Sequence, residues 1–567
     1  MSVAPRQETK GTSAVQRLLR TWLDFSDAHR FDEGTRSTRA VQERYLLGLV
    51  KRNADTAYGR DHGFGKIRSI ADFRAAVPAN SYELLEPYVE RTLRGEKNVL
   101  TDEDPLMFAT TSGTTGKAKY IPVTASYMHE YSHGVHVHLY RILNDFGHLM
   151  DGKFLVPTSN DVEGHSEGGL PYGAISGYLA RQQPSAIKRF YALPYELCKV
   201  KDVESKYYLT LRHALGSDIR LIMMPNPSSM VILGEKLAEH ADELIDDIRN
   251  GTINPDYVPE GTPPELTSGL EPDSRRADEL ESLKRSTGTL IPIEVWPNLQ
   301  VLSCWKGGTM PLYLRKLPEL YGDTPVRDLG YMASEGRGST PLANAGAAGV
   351  LNVTSHFYEF LPEADRDNPN ATFLTCEELE PNREYYVYFS TSAGLYRYDI
   401  NDVVRVVDWY RDAPVIQFVR KGQGMTSITG EKLTESQVTG ALCEAVDDAG
   451  YEVEHFTAAV EWADPPHYAF YAELGDAMTP DREREFLRSM DSKISERNIE
   501  YAAKRESLRL GPPVLKRVAP GTYQAMRQKR VAQGAPEAQV KLPQLSPNME
   551  FGKDLDVIEE VSLDGNN

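Results

Sequence analysis

Cysteine is scarce in this chain. Only Cys198, Cys304, Cys376 and Cys443 occur in 567 residues, and they lie far apart. No CxxC pair exists, so the sequence offers neither a disulfide framework nor a zinc-ligand spacing, and a reducing compartment is expected. Long apolar runs are also missing. No stretch of about eighteen apolar residues is present to span a bilayer, and the opening MSVAPRQETKGTSAVQRLL has no apolar core of the signal-peptide kind. Positive charge is in deficit, with 63 Lys and Arg against 82 Asp and Glu, a net charge of −19. That balance disfavours nucleic acid or an anionic membrane as a general partner, and neither is expected. It leaves room for a local basic pocket that holds one small anion. The expectation is a soluble, cytoplasmic protein.

The composition that remains is globular, 40% hydrophobic and 26% charged, and a chain this long buries a large core without staples. VQRLLRTWLDF and AVQERYLLGLVKR carry apolar residues at helical spacing. PLMFATTSGTTGKAKYIPVT reads as strand, hydroxyl-rich loop, strand, with a helix following through SYMHEYSHGVHVHLYRIL. DIRLIMMPNPSSMVILGEKLAEHADELIDDI predicts a buried strand, a proline turn and one capped helix, which is an α/β unit. After about residue 345 the β-branched and aromatic runs VLNVTSHFYEFLP, EYYVYFST, DVVRVVDWY and VIQFVR predict a β-rich portion. RKGQG then reads as a hinge at 420–424. It is followed by alternating helices and strands that make a small α+β domain. The predicted organisation is a large α/β N-terminal domain at 1–419 and a small mobile domain at 425–567.

The strongest chemical signal is Thr110-Thr111-Ser112-Gly113-Thr114-Thr115-Gly116-Lys117, with five hydroxyls and two glycines in eight residues. Glycines let backbone N–H groups approach an anion, and hydroxyls add donors. The spacing is not that of a Walker loop, since only two residues separate the glycines and no Ser or Thr follows Lys117. Farther on, Gly330-Tyr331-Met332-Ala333-Ser334-Glu335 places a carboxylate in a turn. Tyr396-Arg397-Tyr398-Asp399-Ile400-Asn401-Asp402 places another just before VVRVV, and Thr429-Gly430-Glu431-Lys432 follows the hinge. Taken singly, each has a plain structural role as a cap, a turn or a solvated lysine. On the helix after the loop, His129, His133 and His136 share one face. No Asp or Glu joins that face, and Glu130 points elsewhere. The face is therefore expected to line a substrate pocket or to pack beneath it, together with Tyr127 and Tyr140, rather than to hold a metal.

In their order these blocks resemble the adenylate-forming superfamily. A closer resemblance, over about residues 40–545, is to the auxin-responsive Gretchen-Hagen family of acyl acid amido synthetases. It is carried by Trp296-Pro297-Asn298, Tyr331 to Glu335, Phe357-Tyr358-Glu359-Phe360-Leu361-Pro362, Ala393 to Tyr398, Asp402 to Val406, Gln533-Gly534-Ala535 and Gln539-Val540-Lys541. Asn401 departs from the pattern, standing where the family usually has glycine, as does Thr115-Gly116 where plant members often have Ser-Ala.

The resemblance implies adenylation of a carboxylic acid by ATP with Mg2+, then transfer of the acyl group to an amino acid or another amine. It implies phosphate contacts from Ser112, Gly113, Thr114, Thr115 and Gly116, and a magnesium ligand in Glu335. It further implies a ribose ligand in Asp402, an adenine neighbour in Phe357, and nucleotide contacts from Tyr331, Ser334 and Arg420. Lys432 and Lys541 would be catalytic cations, and His129, His133, Gly169 and Leu170 would lie at the acyl acid. Pro157, Thr158, Gly168 and Pro171 belong to the same stretch. Two alternatives stand beside this reading: a thioester ligase for coenzyme A or a carrier thiol, and a silent protein that binds nucleotide or acyl acid. The absence of a basic groove for coenzyme A favours the amine. Retention of Glu335, Asp402, Lys432 and Lys541 disfavours the silent protein.

Overall fold

The computed structural model describes residues 13–563, apart from 113–117, 308–309, 367, 369, 423, 427–430, 432, 451–452, 462, 464, 475–478, 507–509, 533–539, 541 and 547. The chain divides into two units, Met1–Phe418 and Val419–Asn567.

In the first unit the strands Lys153–Leu155, Ile219–Met223, Val301–Cys304 and Val326–Asp328 form a wholly parallel sheet. All four residues of Val301–Cys304 are buried, as a parallel sheet covered on both faces requires. Side chains alternate across the sheet. Leu221 and Val301 pack with Leu23, Tyr140 and Leu143 on one side. Ile222, Leu302 and Cys304 pack on the other with Leu211, Leu233 and Leu244. The apolar run that predicts a single helix after Asn226 forms two, Pro227–Glu239 and Ala241–Asn250, because the chain leaves helical geometry at His240.

A six-stranded sheet supplies the β-rich portion. Its order is Ser339–Thr340, Ala348–Leu351, Ala413–Lys421, Tyr398–Tyr410, Glu384–Ser390, Phe357–Pro362. A third sheet holds Met107–Ser112 between Ala118–Val123 and Pro171–Gly173, with Gly164–His165 at its edge. The long helix Ala125–Asp145 follows at once, and Thr124 caps it by accepting the Tyr127 N–H at 3.1 Å.

The second unit has a five-stranded sheet ordered Leu545–Ser546, Val453–Glu461, His467–Leu474, Val514–Val518, Val557–Ser562. The helices Glu435–Ala449, Pro480–Arg497 and Thr522–Ala532 accompany it. A capping box of Thr434 and Gln437 starts the first of these, and Gly450 in the left-handed region ends it.

Candidate active site

Two carboxylates meet a cluster of tyrosines in the first unit. Glu335 comes from a tight hairpin: Met332–Ala333 pairs with Gly336–Arg337, which leaves Ser334 and Glu335 as the turn. The hairpin's entry is fixed by Gly330, whose φ is +84°. A Cβ there would meet the Ser339 carbonyl at 2.3 Å, so only glycine fits. Its tip is fixed from the long helix, where the Tyr127 hydroxyl donates to the Ser334 carbonyl at 2.6 Å. Glu335 is buried. Burial comes first among the causes that push the Tyr127 and Tyr331 phenols well above their ordinary range, and the charge of Glu335 adds to it.

Asp402 does not precede a strand, as the sequence pattern predicts, but lies within Tyr398–Tyr410. The ladder explains how it is presented. Tyr386 pairs with Val403 while Tyr388 pairs with Asp399, so Ile400, Asn401 and Asp402 together oppose Val387. This bulge lifts Asp402 out of the regular alternation. Asn401 makes the bulge with φ at +57°, and its N–H donates to Asp399 at 2.7 Å. This conformation suits the glycine that the resemblance implies at this position, and asparagine is among the few side chains that tolerate it. Tyr331 donates to the Asp402 carboxylate at 2.8 Å. Its ring is stacked with Phe418 at 6.1 Å and tilted against Phe389 at 6.0 Å.

Tyr331, Ser334, Glu335 and Asp402 are therefore brought together, while other expected residues are placed elsewhere. Phe357 is in the core, edge-on to Phe73 at 6.2 Å. Its neighbour Tyr358 takes the other face of the sheet, against Phe389 at 5.3 Å. His133 is a packing residue. It is 2% exposed, with Nδ1 against Asp27 at 2.7 Å and Nε2 against Thr354 at 2.8 Å. The acidic partner that the helix itself lacks comes from the short π-helix Asp24–Ala28, and His136 shares it at 2.8 Å. His129 lines a cleft of about 360 Å³ with Arg30, Tyr45, Arg52 and Glu130. At 3.6 residues per turn His129 lies roughly 200° around the helix from Tyr127, so the two do not share a face. Gly169 and Leu170 form a surface turn, closed by the Ser166 N–H on the Leu170 carbonyl at 2.8 Å.

Ser112 ends the strand Met107–Ser112, paired with Ala118 across the hairpin. Gly113, Thr114, Thr115, Gly116, Lys432 and Lys541 lie outside the described residues, as does the side chain of Arg420. Glu431 accepts from the Tyr468 hydroxyl at 2.7 Å, and the Gln544 N–H donates to Glu435 at 2.8 Å.

Apart from Tyr127, residues that sequence reasoning missed lie on the opposite face of the long helix. Tyr127, Tyr131, Gly134 and His138 share one stripe at helical spacing. Tyr131 senses both Glu335 and Arg337, with burial the main cause of its raised pKa. Arg337 lies across Gly134, where a Cβ would meet its Cδ at 2.6 Å. The spacing of 127, 131, 134 and 138 is the sequence signal for this stripe.

The chain matches the GH3 family N-terminal domain over residues 27–326, the GH3 central domain over 349–421 and the GH3 C-terminal domain over 436–550. It is similar to an indole-3-acetic acid-amido synthetase of Arabidopsis thaliana, 26% identical over 551 residues and 92% of each chain. It is also similar to a jasmonoyl-L-amino acid synthetase of Nicotiana attenuata, 26% identical over 90% of this chain and 92% of the relative. Among solved structures, a GH3.15 acyl acid amido synthetase superposes with a TM-score of 0.84 at 22% identity, covering 96% of this chain and 97% of the other. A 2-hydroxyisobutyryl-CoA ligase matches with a TM-score of 0.50 at 12% identity, over 92% of each chain. The three domain matches follow one another along most of the sequence, and the chain belongs to the GH3 family.

Proposed function

We propose that this protein activates a carboxylic acid with ATP and passes the acyl group to the amine of an amino acid. In the first step the carboxylate oxygen attacks the α-phosphorus, pyrophosphate leaves, and an acyl-adenylate forms. In the second step the amine nitrogen attacks the acyl carbon, the bond from that carbon to the phosphate oxygen breaks, AMP leaves, and the amine gives up a proton. The observation that carries this reading is the Tyr331–Asp402 hydrogen bond beside the Ser334–Glu335 turn. It joins two separate motifs of the chain at one buried place.

Each residue has a task suited to its chemistry. Asp402 is an acceptor-only group that can take the two ribose hydroxyls of the nucleotide, with Tyr331 holding its orientation. Glu335 is a hard oxygen donor of the kind magnesium prefers. The ion, when bound, would neutralise charge on the phosphates. The turn cannot drift, because Tyr127 pins its backbone, and such fixed geometry is what electrostatic stabilisation of the reaction requires. Ser112 and the residues after it are proposed to donate to phosphate, and Lys432 and Lys541 to supply cations during adenylation. If Lys541 acts so, Lys541→Ala slows adenylation far more than it weakens ATP binding.

Pyrophosphate release measured with a panel of carboxylic acids, followed by mass analysis of products with amino acids, tests the whole reading. Acid-dependent pyrophosphate release and an amide product are expected. A thioester in the presence of coenzyme A, or pyrophosphate release indifferent to acid, would overturn it. The names of the relatives direct the panel toward indole-3-acetic acid and jasmonic acid as first members.

A further inference from the structure

Arg337 is 3% exposed, yet among the described residues no carboxylate lies within ion-pair distance of it. Its Nη2 donates to the Leu329 carbonyl at 3.0 Å, its Nη1 approaches the Met332 sulfur at 3.4 Å, and its Nε has no partner. Burial pushes the guanidinium below its ordinary value, and Tyr131 and Asp328 are the acidic groups near enough to act against that. Asp328 is already engaged by the Lys306 and Gly330 N–H groups, each at 2.6 Å.

A second buried polar atom beside it is also without a partner. His138 is 2% exposed, its Nδ1 is unbonded among the described residues, and its Nε2 meets Ser303 only at 3.5 Å. Burial and the charges of Arg337 and Arg327 hold this imidazole neutral. Buried polar groups in folded proteins are nearly always paired. Arg337 crosses Gly134, one helical turn from His138, so the two orphaned atoms mark a region where an acceptor is missing.

The placement of Arg337 is built and not incidental. Its side chain passes over Gly134, the one residue of that helix stripe with no Cβ to block it. It stands at the base of the hairpin whose tip carries Glu335. Tyr131 senses both Arg337 and Glu335, so the two charges belong to one site. The carboxylate proposed to face the phosphates is at the hairpin's tip, and the cation is at its base. The cation is suited to a group of the acyl acid other than the carboxylate that reacts.

We infer that Arg337, assisted by His138, binds a second oxygen function of the acyl acid. The enzyme would then select acids bearing a hydroxyl, carbonyl or second carboxylate remote from the reacting one. The inference rests on the proposed activation of carboxylic acids, and binding measurements separate the two. Two matched pairs serve as probes: phenylacetate with 4-hydroxyphenylacetate, and hexanoate with hexanedioate. Calorimetry reads binding to the parent and to Arg337→Met, and pyrophosphate release reads adenylation independently. A site built to hydrogen-bond a substrate group rejects the analogue that lacks it, so the oxygenated acid of at least one pair should bind about tenfold or more tightly to the parent. Arg337→Met should bring that ratio near unity with ATP affinity unchanged. It should also leave the melting temperature of the ligand-free protein unchanged or higher, because an unpaired buried charge is replaced by an apolar side chain of similar length. No preference in either pair, a preference that survives in Arg337→Met, or a large drop in melting temperature would each overturn the inference. Selective binding without pyrophosphate release would leave the subsite standing and overturn the proposed reaction instead.

Discussion

The Tyr331 hydroxyl donates to the Asp402 carboxylate at 2.8 Å across 71 residues of chain, and both groups are buried. A hydrogen bond to a charged group contributes roughly 1.5–3 kcal/mol. Tyr331→Phe keeps the ring packed on Phe418 and Phe389 but removes this hydrogen bond from the carboxylate. Its affinity for a non-hydrolysable ATP analogue should fall about tenfold, the equivalent of about 1.4 kcal/mol. Asp402→Ala should weaken it further while the fold survives. Calorimetry on both purified variants checks this, and parental affinity in both would remove Asp402 from the nucleotide site.

How Asp402 is presented was only partly visible in the sequence. The aspartate stood out in its motif, and the β-branched run after it predicted a strand. The bulge that carries it depends on how Tyr386 and Tyr388 pair with the neighbouring strand, and pairing register is not a local property. Phe357 illustrates the same limit. On a strand one residue of slip exchanges the two faces, so the motif located the segment but not which of Phe357 and Tyr358 would turn toward Tyr331. Two strands of the parallel sheet, Ile219–Met223 and Val301–Cys304, were easier because they lie in apolar runs, whereas Lys153–Leu155 and Val326–Asp328 are three residues each and carry Lys153, Arg327 and Asp328. Asp27 was out of reach, since it lies 106 residues from the histidine it binds and nothing in either helix announces the other.

Asn401 gives a conformational test. At φ +57° an asparagine costs little and a β-branched residue costs about 1–2 kcal/mol. Asn401→Gly should leave melting temperature and ATP affinity close to the parent. Asn401→Val should lower both, because the bulge must flatten or strain, and Asp402 moves with it. Equal behaviour of the two variants would show that the bulge does not set the position of the carboxylate.

Glu335→Gln keeps the shape of the hairpin turn and removes its charge. ATP should still bind, while adenylation slows and needs more magnesium to reach half its maximal rate. A magnesium titration of pyrophosphate release checks this. Coincident titration curves and equal maximal rates would make Glu335 a structural residue of the turn.

The pairing of Asp27 with His133 and His136 predicts how the fold responds to acid. Burial is the largest influence on Asp27 and raises its pKa, but hydrogen bonds from His133, His136 and Ser26 outweigh it and hold the carboxyl well below 3.8. Burial is also the largest influence on His133, and it lowers the imidazole below 6.5 despite the bond to Asp27. The buried ring is then neutral, with Nδ1–H donating to Asp27 and Nε2 accepting from the Thr354 hydroxyl. Both shifts have the same sign. The folded protein holds protons on these groups less tightly than the unfolded chain does, so their stabilisation is present at neutral pH and is lost as pH falls. His133 contributes its loss below about pH 6.5, and Asp27 adds its own below about pH 4. One proton taken up on unfolding steepens the loss by at most about 1.4 kcal/mol per pH unit. Denaturant unfolding between pH 7 and pH 5 should therefore show a shallower slope for His133→Gln than for the parent, whereas Asp27→Asn should flatten the curve chiefly below pH 4. His138 and His213, also lowered by burial, keep some slope in every variant. If parent and His133→Gln lose stability in parallel from pH 7 to pH 5, then His133 titrates in the fold as it does in the unfolded chain, and the neutral, doubly bonded imidazole is wrong.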